Sequence, residues 1–305
     1  MKRRDFIKTA GITAGLALTT PGIAGKLFAR KSFTPPESYD LVAVKNGEPD
    51  VMFDEAIKHL GGMKSFVKKG QKVLVKPNIG WDTTPERAAN THPKLVKRII
   101  EQCYNAGAKE VYIFDHTCDD WKRCYENSGI EKAVKDAGGK IVPGNTESYY
   151  QEVKINSGKN LKSAKIHELL LDCDVFLNVP VLKDHGSARL TISMKNHMGV
   201  VWDRGYWHRN DLHQCIADFA AYRKPDLNIV DAYNVMKQNG PRGVSTADIV
   251  KMKSLIISRD QVAADTAAAK LLGFEPKNVS YIELANELGV GKMDLNSLSI
   301  KRVIL

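Results

Sequence analysis

The sequence predicts an α/β fold: an open sheet, largely parallel or mixed, with helices on both faces. Three observations carry this. Short apolar runs alternate with stretches that are apolar at three- and four-residue spacing, the periods of buried strands and amphipathic helices. Glycines at 61, 107, 138 and 273 close most of the helical stretches. Strand–helix alternation of this kind argues for parallel strands joined by crossover helices.

The elements follow in order. Residues 41–44 form a short apolar strand, and 51–60 a helix stopped by Gly61 and Gly62. Residues 72–76 are a strand. Thr91 caps a helix over 93–106, with Pro93 inside its start and Gly107 past its end. Residues 110–115 are a strand, 131–137 a helix and 140–142 a strand. Residues 149–155 alternate weakly, as an edge hairpin strand does. Residues 166–171 read as helix and 174–179 as a buried strand. The stretch 190–198 fits helix and strand equally. Residues 212–222 form an amphipathic helix. Strands at 227–231 and 254–258, helices at 262–272 and 281–288, and a last strand at 301–305 complete the chain.

The 305 residues are 43% hydrophobic and 26% charged, which excludes a disordered or fibrous chain. Lys plus Arg number 45 against 35 Asp plus Glu, a net charge of +10. Residues 1–29 hold Lys2, Arg3, Arg4, Lys8 and Lys26 against Asp5, so four of those charges lie there and +6 remains elsewhere. The rest of the basic residues are scattered, so no nucleic-acid partner is expected. The start Lys2-Arg3-Arg4-Asp5-Phe6-Ile7-Lys8 precedes 17 uncharged residues from Thr9 to Gly25, with four glycines and Pro21. That run is too short and too weakly apolar for a spanning helix. It has the anatomy of a signal peptide of the twin-arginine type, ending near Ala24 or Ala29. We therefore expect a signal at 1–29, a linker at 30–39 and a single α/β domain at 40–305. Periplasmic location, with no membrane anchor after cleavage, follows from that.

Five cysteines cannot all pair internally. Cys103 and Cys215 sit at helical spacing with apolar residues and read as buried. Cys118 and Cys124 are able to pair, but there is no C-x-x-C and no zinc or iron–sulfur spacing. No iron–sulfur cluster is expected on this chain. Dinucleotide, Walker and nucleophile-elbow motifs are absent as well.

The functional signal lies where apolar strands end. Strand 72–76 runs into Lys76-Pro77-Asn78, 110–115 ends at Asp115-His116, 174–179 leads to Pro180, Lys183 and His185, and 227–231 ends at Asp231. In an open parallel sheet, ligands bind beyond the carboxyl ends of the strands. Four polar ends, two stiffened by proline, point to one cleft.

Several of these motifs also resemble a family. Val-Leu-Val-Lys76-Pro77-Asn78 and Gly107-Ala108 come first. Leu-Asn178-Val-Pro180-Val-Leu-Lys183-x-His185 and Leu-Thr191-Ile-Ser-Met-Lys195-Asn196 with Gly199 follow. Ile-Val-Asp231-Ala, Gly240-Pro241 and Ala263-Ala-Asp265 come last. In this order they resemble the family catalogued as domain of unknown function 362, over roughly residues 40–275. Many members carry an added ferredoxin-like segment and are labelled iron–sulfur proteins. The resemblance therefore implies an iron–sulfur redox partner as one alternative, although this chain lacks such a segment.

Chemistry assigns roles within the cleft. Lys76, Lys183 and Lys195 are three cations on separate loops that together suit a carboxylate or phosphate. With Asn78, Asn196 and His213 they form the expected binding set; His213 points into the cleft or merely starts its helix. Lys183, His185 and Asp231 are the expected catalytic residues, His185 serving as a base or a metal ligand. Asp115, Asp231 and His185 are oxygen and nitrogen donors suited to a divalent metal. The expected function is an enzyme acting on a small anionic molecule. A periplasmic solute-binding protein is the alternative without chemistry.

Overall fold

The computed structural model describes residues 38–305. The signal and most of the linker expected at 1–39 lie outside them. Strand β1 (Leu41–Lys45) leads to α1 (Pro49–Lys58), β2 (Lys72–Pro77), α2 (Pro93–Ala106), β3 (Glu110–Ile113), α3 (Trp121–Asn127), α4 (Ile130–Asp136) and β4 (Lys140–Ile141). A small excursion follows: β5 (Tyr150–Lys154), β6 (Ser163–His167) and α5 (Glu168–Asp172). The chain returns through β7 (Val175–Val179), β8 (Val181–His185) and β9 (Arg189–Thr191) to α6 (Ser193–Asn196), α7 (Arg204–Arg209) and α8 (Leu212–Tyr222). It closes with β10 (Leu227–Met236), β11 (Ile249–Ser258), α9 (Gln261–Leu271), α10 (Ser280–Glu287) and β12 (Ile300–Ile304).

Ten strands form one sheet in the order β12-β1-β11-β10-β7-β2-β3-β4, with β8 on β10 and β9 on β8. All run in one direction except β11 and β9. Side chains alternate across the sheet. Val73 and Val75 face one core with Phe53 of α1 and Val96 and Ile99 of α2. Leu74 faces the other with Phe219 of α8 and Val262 of α9. Helices therefore cover both faces, as the α/β reading expects. Cys103 and Cys215 are buried in these two cores, while Cys118 and Cys124 are free thiols.

Helix α2 shows how sequence sets an end. Gly107 takes φ 105° there, and a Cβ on it would stand 3.1 Å from the Lys69 backbone. His92, not Thr91, is its N-cap: the imidazole accepts from the Lys94 N–H at 3.2 Å. The Thr91 hydroxyl instead accepts from Asn78 N–H and donates to the Val179 carbonyl, tying two strand ends together.

Three further expectations are corrected. Residues 183–185, read as loop, belong to β8. Pro180 has no N–H, so the ladder is interrupted there; pairing on β10 resumes in the same register at Val181 opposite Asp231, and the register shifts only beyond it, where Lys183 lies opposite Met236. The helix expected at 166–171 is a strand end and a short helix, because His167 turns the chain by accepting from Leu169 N–H at 3.1 Å. Strands expected at 227–231 and 254–258 are each ten residues long and extend into an antiparallel ladder beyond the sheet body. Helices α3, capped by Asp120, and α7, capped by Asp203, have no counterpart among the expected elements.

Candidate functional site

The carboxyl ends of β2, β3 and β8 meet helix α6 around a cavity of about 460 Å³, within the usual range for a small-molecule site. Lys76, Asn78, Asp115, Lys183, His185, Lys195 and Asn196 all line it, as expected.

Three lysines reach it, and two of them are engaged. Lys76 Nζ lies 2.9 Å from Asp115 Oδ1 and donates to Asn196 Oδ1 at 2.9 Å. Both members of that ion pair are buried. The other Asp115 oxygen accepts from Ile79 N–H at 2.6 Å. Lys183 Nζ donates to Asn78 Oδ1 at 3.1 Å and to the Ala89 carbonyl. Lys195 has no hydrogen-bond or ion-pair partner among the described residues, although it is only 9% exposed.

Asparagines hold this frame. Asn196 Nδ2 donates to Asn178 Oδ1 at 2.9 Å, and Asn178 Nδ2 donates to the Ser193 carbonyl at 2.9 Å and to Asn228 Oδ1 at 3.1 Å. Helix α6 is fixed at its start by Asp265, whose two oxygens accept from Ser193 and Met194 N–H at 2.8 and 3.0 Å. That carboxylate tethers the segment carrying Lys195 and Asn196.

Burial and mutual repulsion shape the charges. Loss of solvent is the main force on each lysine. It moves Lys183 down to about 7 and Lys195 down to about 8, each lowered further by neighbouring cations. Lys76 is lowered by burial too, against the pull of Asp115. Burial, then Lys195 and Lys183, push His185 down to about 3. Its Nδ1 accepts from Ala188 N–H at 3.1 Å, so the proton of the neutral ring sits on Nε2. His185 thus presents a neutral Nε2–H donor to the cavity.

Residues absent from the sequence-derived set also line the cavity, His116 and Arg204 among them. His116 directs Nδ1 at the Val201 carbonyl, 3.0 Å away, which leaves Nε2 as a free acceptor. Its ring stacks on Trp202 at 4.9 Å, and burial followed by Arg204 lowers its affinity for a proton. Arg204 anchors to the His116 and Thr117 carbonyls and adds a fourth cation. His116 was legible as the residue after Asp115 at a strand end. Arg204 carried no signal in the sequence.

Two expected members are not brought to the cavity. The Asp231 carboxylate accepts from His92 N–H at 2.7 Å and Tyr233 N–H at 3.0 Å, so it serves the start of α2. His213 packs on Tyr281, with ring centroids 6.1 Å apart, and does not line the cavity. The metal set of Asp115, Asp231 and His185 falls with Asp231. Among the described residues no three His, Cys, Asp or Glu side chains come together to hold a metal.

Fold and cavity define an α/β protein with a mostly parallel sheet and a cationic cleft at its strand ends. The chain belongs to the family described as domain of unknown function DUF362, matched over residues 73–270. It is 26% identical over 242 residues to a thylakoid-associated protein of Synechocystis sp., covering 77% of this chain and 73% of that one. Among solved structures it is similar to the lactate racemase apoprotein of Thermoanaerobacterium thermosaccharolyticum, at 13% identity and a TM-score of 0.49 over 78% of this chain. A protein from Thermotoga maritima is similar at 12% identity and a TM-score of 0.45 over 79% of this chain. The chain spans 58% and 60% of the lengths of those two structures.

Proposed function

We propose that this protein is an enzyme acting on a small organic anion held by the lysines of the cleft. The observation that carries the reading is the charge balance. Lys76, Lys183, Lys195 and Arg204 line the cavity, and Asp115, the one carboxylate lining it among the described residues, is already paired to Lys76. A buried cation without a partner is costly, and an anion relieves that cost. Two histidines of fixed tautomer favour chemistry over simple binding. His116 offers a free Nε2 lone pair, and His185 offers an Nε2 proton.

The test is a melting-temperature screen with inorganic phosphate and small mono- and dicarboxylates. A ligand at about a hundred times its Kd adds about 2.7 kcal/mol, or a rise of roughly 5–10 °C. The stabilising anion is then followed by NMR for turnover. Lys195→Met should lose the stabilisation, whereas a binder without chemistry would keep it in His116→Gln and show no turnover in either form.

Twin-arginine export to the periplasm is part of this proposal, supported by Arg3-Arg4 and the weakly apolar run behind them. So is the absence of an iron–sulfur cluster on this chain. Protein purified without oxygen should be colourless, and stoichiometric iron and sulfide would overturn that point.

A further inference from the structure

The three cleft lysines are chemically unequal. Lys76 is committed to Asp115 and Asn196, and Lys183 to Asn78 and the Ala89 carbonyl. Lys195 lines the same cavity, more than nine-tenths buried, with no partner for its amine among the described residues. Its backbone is held from both sides. Asp265 fixes Ser193 and Met194 N–H, and the Asn196 side chain is locked onto Asn178 and the Lys76 carbonyl. The amine is therefore placed without being used by the fold.

We propose that Lys195 captures the carbonyl carbon of a small 2-oxo acid as an imine, with the acid's carboxylate lying against the neighbouring lysines. This rests on the anion-binding reading above and names its substrate class. Desolvated lysines beside other cations are the amines that act as nucleophiles, because neighbouring charge keeps a fraction of them neutral near neutral pH. Burial moves Lys195 to about 8, in that direction. A carbonyl adjacent to a carboxylate suits this layout, since one cation reacts while the others hold the charge. In the step, Nζ of the neutral amine bonds to the carbonyl carbon and the π pair moves to oxygen. That oxygen leaves as water with the two protons shed by Nζ. Lys183 relays one of them, giving a proton to the oxygen and regaining one from Nζ. No oxidant or further reactant is required.

The experiment incubates the full chain with pyruvate and then adds borohydride, whose hydride reduces an imine to a stable secondary amine. Peptide mass spectrometry locates the adduct. One reduced pyruvyl group on Lys195 is expected, with at least about tenfold less trapping of butanone, which lacks the carboxylate. Lys195→Arg keeps the charge and should lose the adduct while pyruvate still raises its Tm. Pyruvate stabilisation of the wild type without an adduct on Lys195 overturns the imine and leaves the anion site standing. Neither stabilisation nor adduct overturns both. Labelling of Lys195 no heavier than that of surface lysines in the wild type also overturns the imine, and the wild-type peptide map decides this even if the variant folds poorly.

Discussion

Asp115→Asn isolates the electrostatic frame of the cleft. Asp115 is 3% exposed and Lys76 is fully buried. They meet at 2.9 Å, and the second carboxylate oxygen accepts from Ile79 N–H at 2.6 Å. An amide in place of the carboxylate turns one oxygen into an NH₂ group, which then faces either the ammonium or the Ile79 N–H. Donor meets donor, and Lys76 is left in the interior without its counter-charge. Removing one partner of a buried pair costs about 3–5 kcal/mol. The Lys76 bond to Asn196 remains, so the lower half of that range is expected. Measured by urea unfolding, the variant should lose about 3 kcal/mol, with a fall in Tm of roughly 10 °C. Lys76→Met combined with Asp115→Asn removes both charges and should regain most of that loss, so the cycle closed with the Lys76→Met single variant shows a coupling of at least about 2 kcal/mol. A loss below about 1 kcal/mol in Asp115→Asn, the worth of an exposed pair, would refute the reasoning.

Further outcomes follow from the same geometry. Gly199→Ala places a Cβ onto Asp115 Oδ1 and 2.5 Å from Lys76 Nζ, so it should both destabilise the protein and abolish anion-induced stabilisation in a melting assay. Asp231→Ala strands the His92 and Tyr233 N–H groups at a cost of about 1–3 kcal/mol, yet anion affinity measured by calorimetry should stay within about twofold of wild type, since Asp231 does not line the cavity. Burial holds His197 down at about 3, below its unfolded value, so its contribution is present above about pH 6.5 and lost as pH falls towards 3. Between pH 7 and 4.5, His197→Gln should therefore lose about 2–3 kcal/mol less stability than wild type in urea titrations. Replacing Arg3 and Arg4 by Lys should leave precursor in the cytoplasm on fractionation, and unchanged export would refute the twin-arginine reading.

Much of the fold was legible because its signals are local. Val73, Leu74 and Val75 form an apolar run whatever surrounds them, and the strand–helix order follows from such runs. Pro77 and Pro180 marked strand exits, which gave most of the cleft: Lys76, Asn78, Lys183 and His185. The failures share a cause, which is that the partner lies far along the chain. Asp231 looks like a catalytic carboxylate until His92, distant in sequence, supplies the N–H that uses it. Strand β8 follows a proline and pairs with a strand some fifty residues later, so its own sequence does not reveal it. The tautomers of His116 and His185 are set by the Val201 carbonyl and the Ala188 N–H, which no spacing rule reports. Asp265 carried a motif but no role until its oxygens were placed on the start of α6.

The central claim is that the cleft is an anion site built from under-compensated lysines. Calorimetry of anion binding near pH 8, repeated in buffers of different ionisation enthalpy, tests it most directly. An anion favours the charged form of a nearby amine, and Lys183 and Lys195 are held near about 7 and about 8. Binding should therefore draw protons from the buffer, with uptake of a sizeable fraction of a proton per anion in wild type, whereas Lys195→Met, which loses the anion, should show neither saturable heat nor uptake. Binding without proton uptake, or no saturable binding of any small carboxylate or phosphate, would contradict the account.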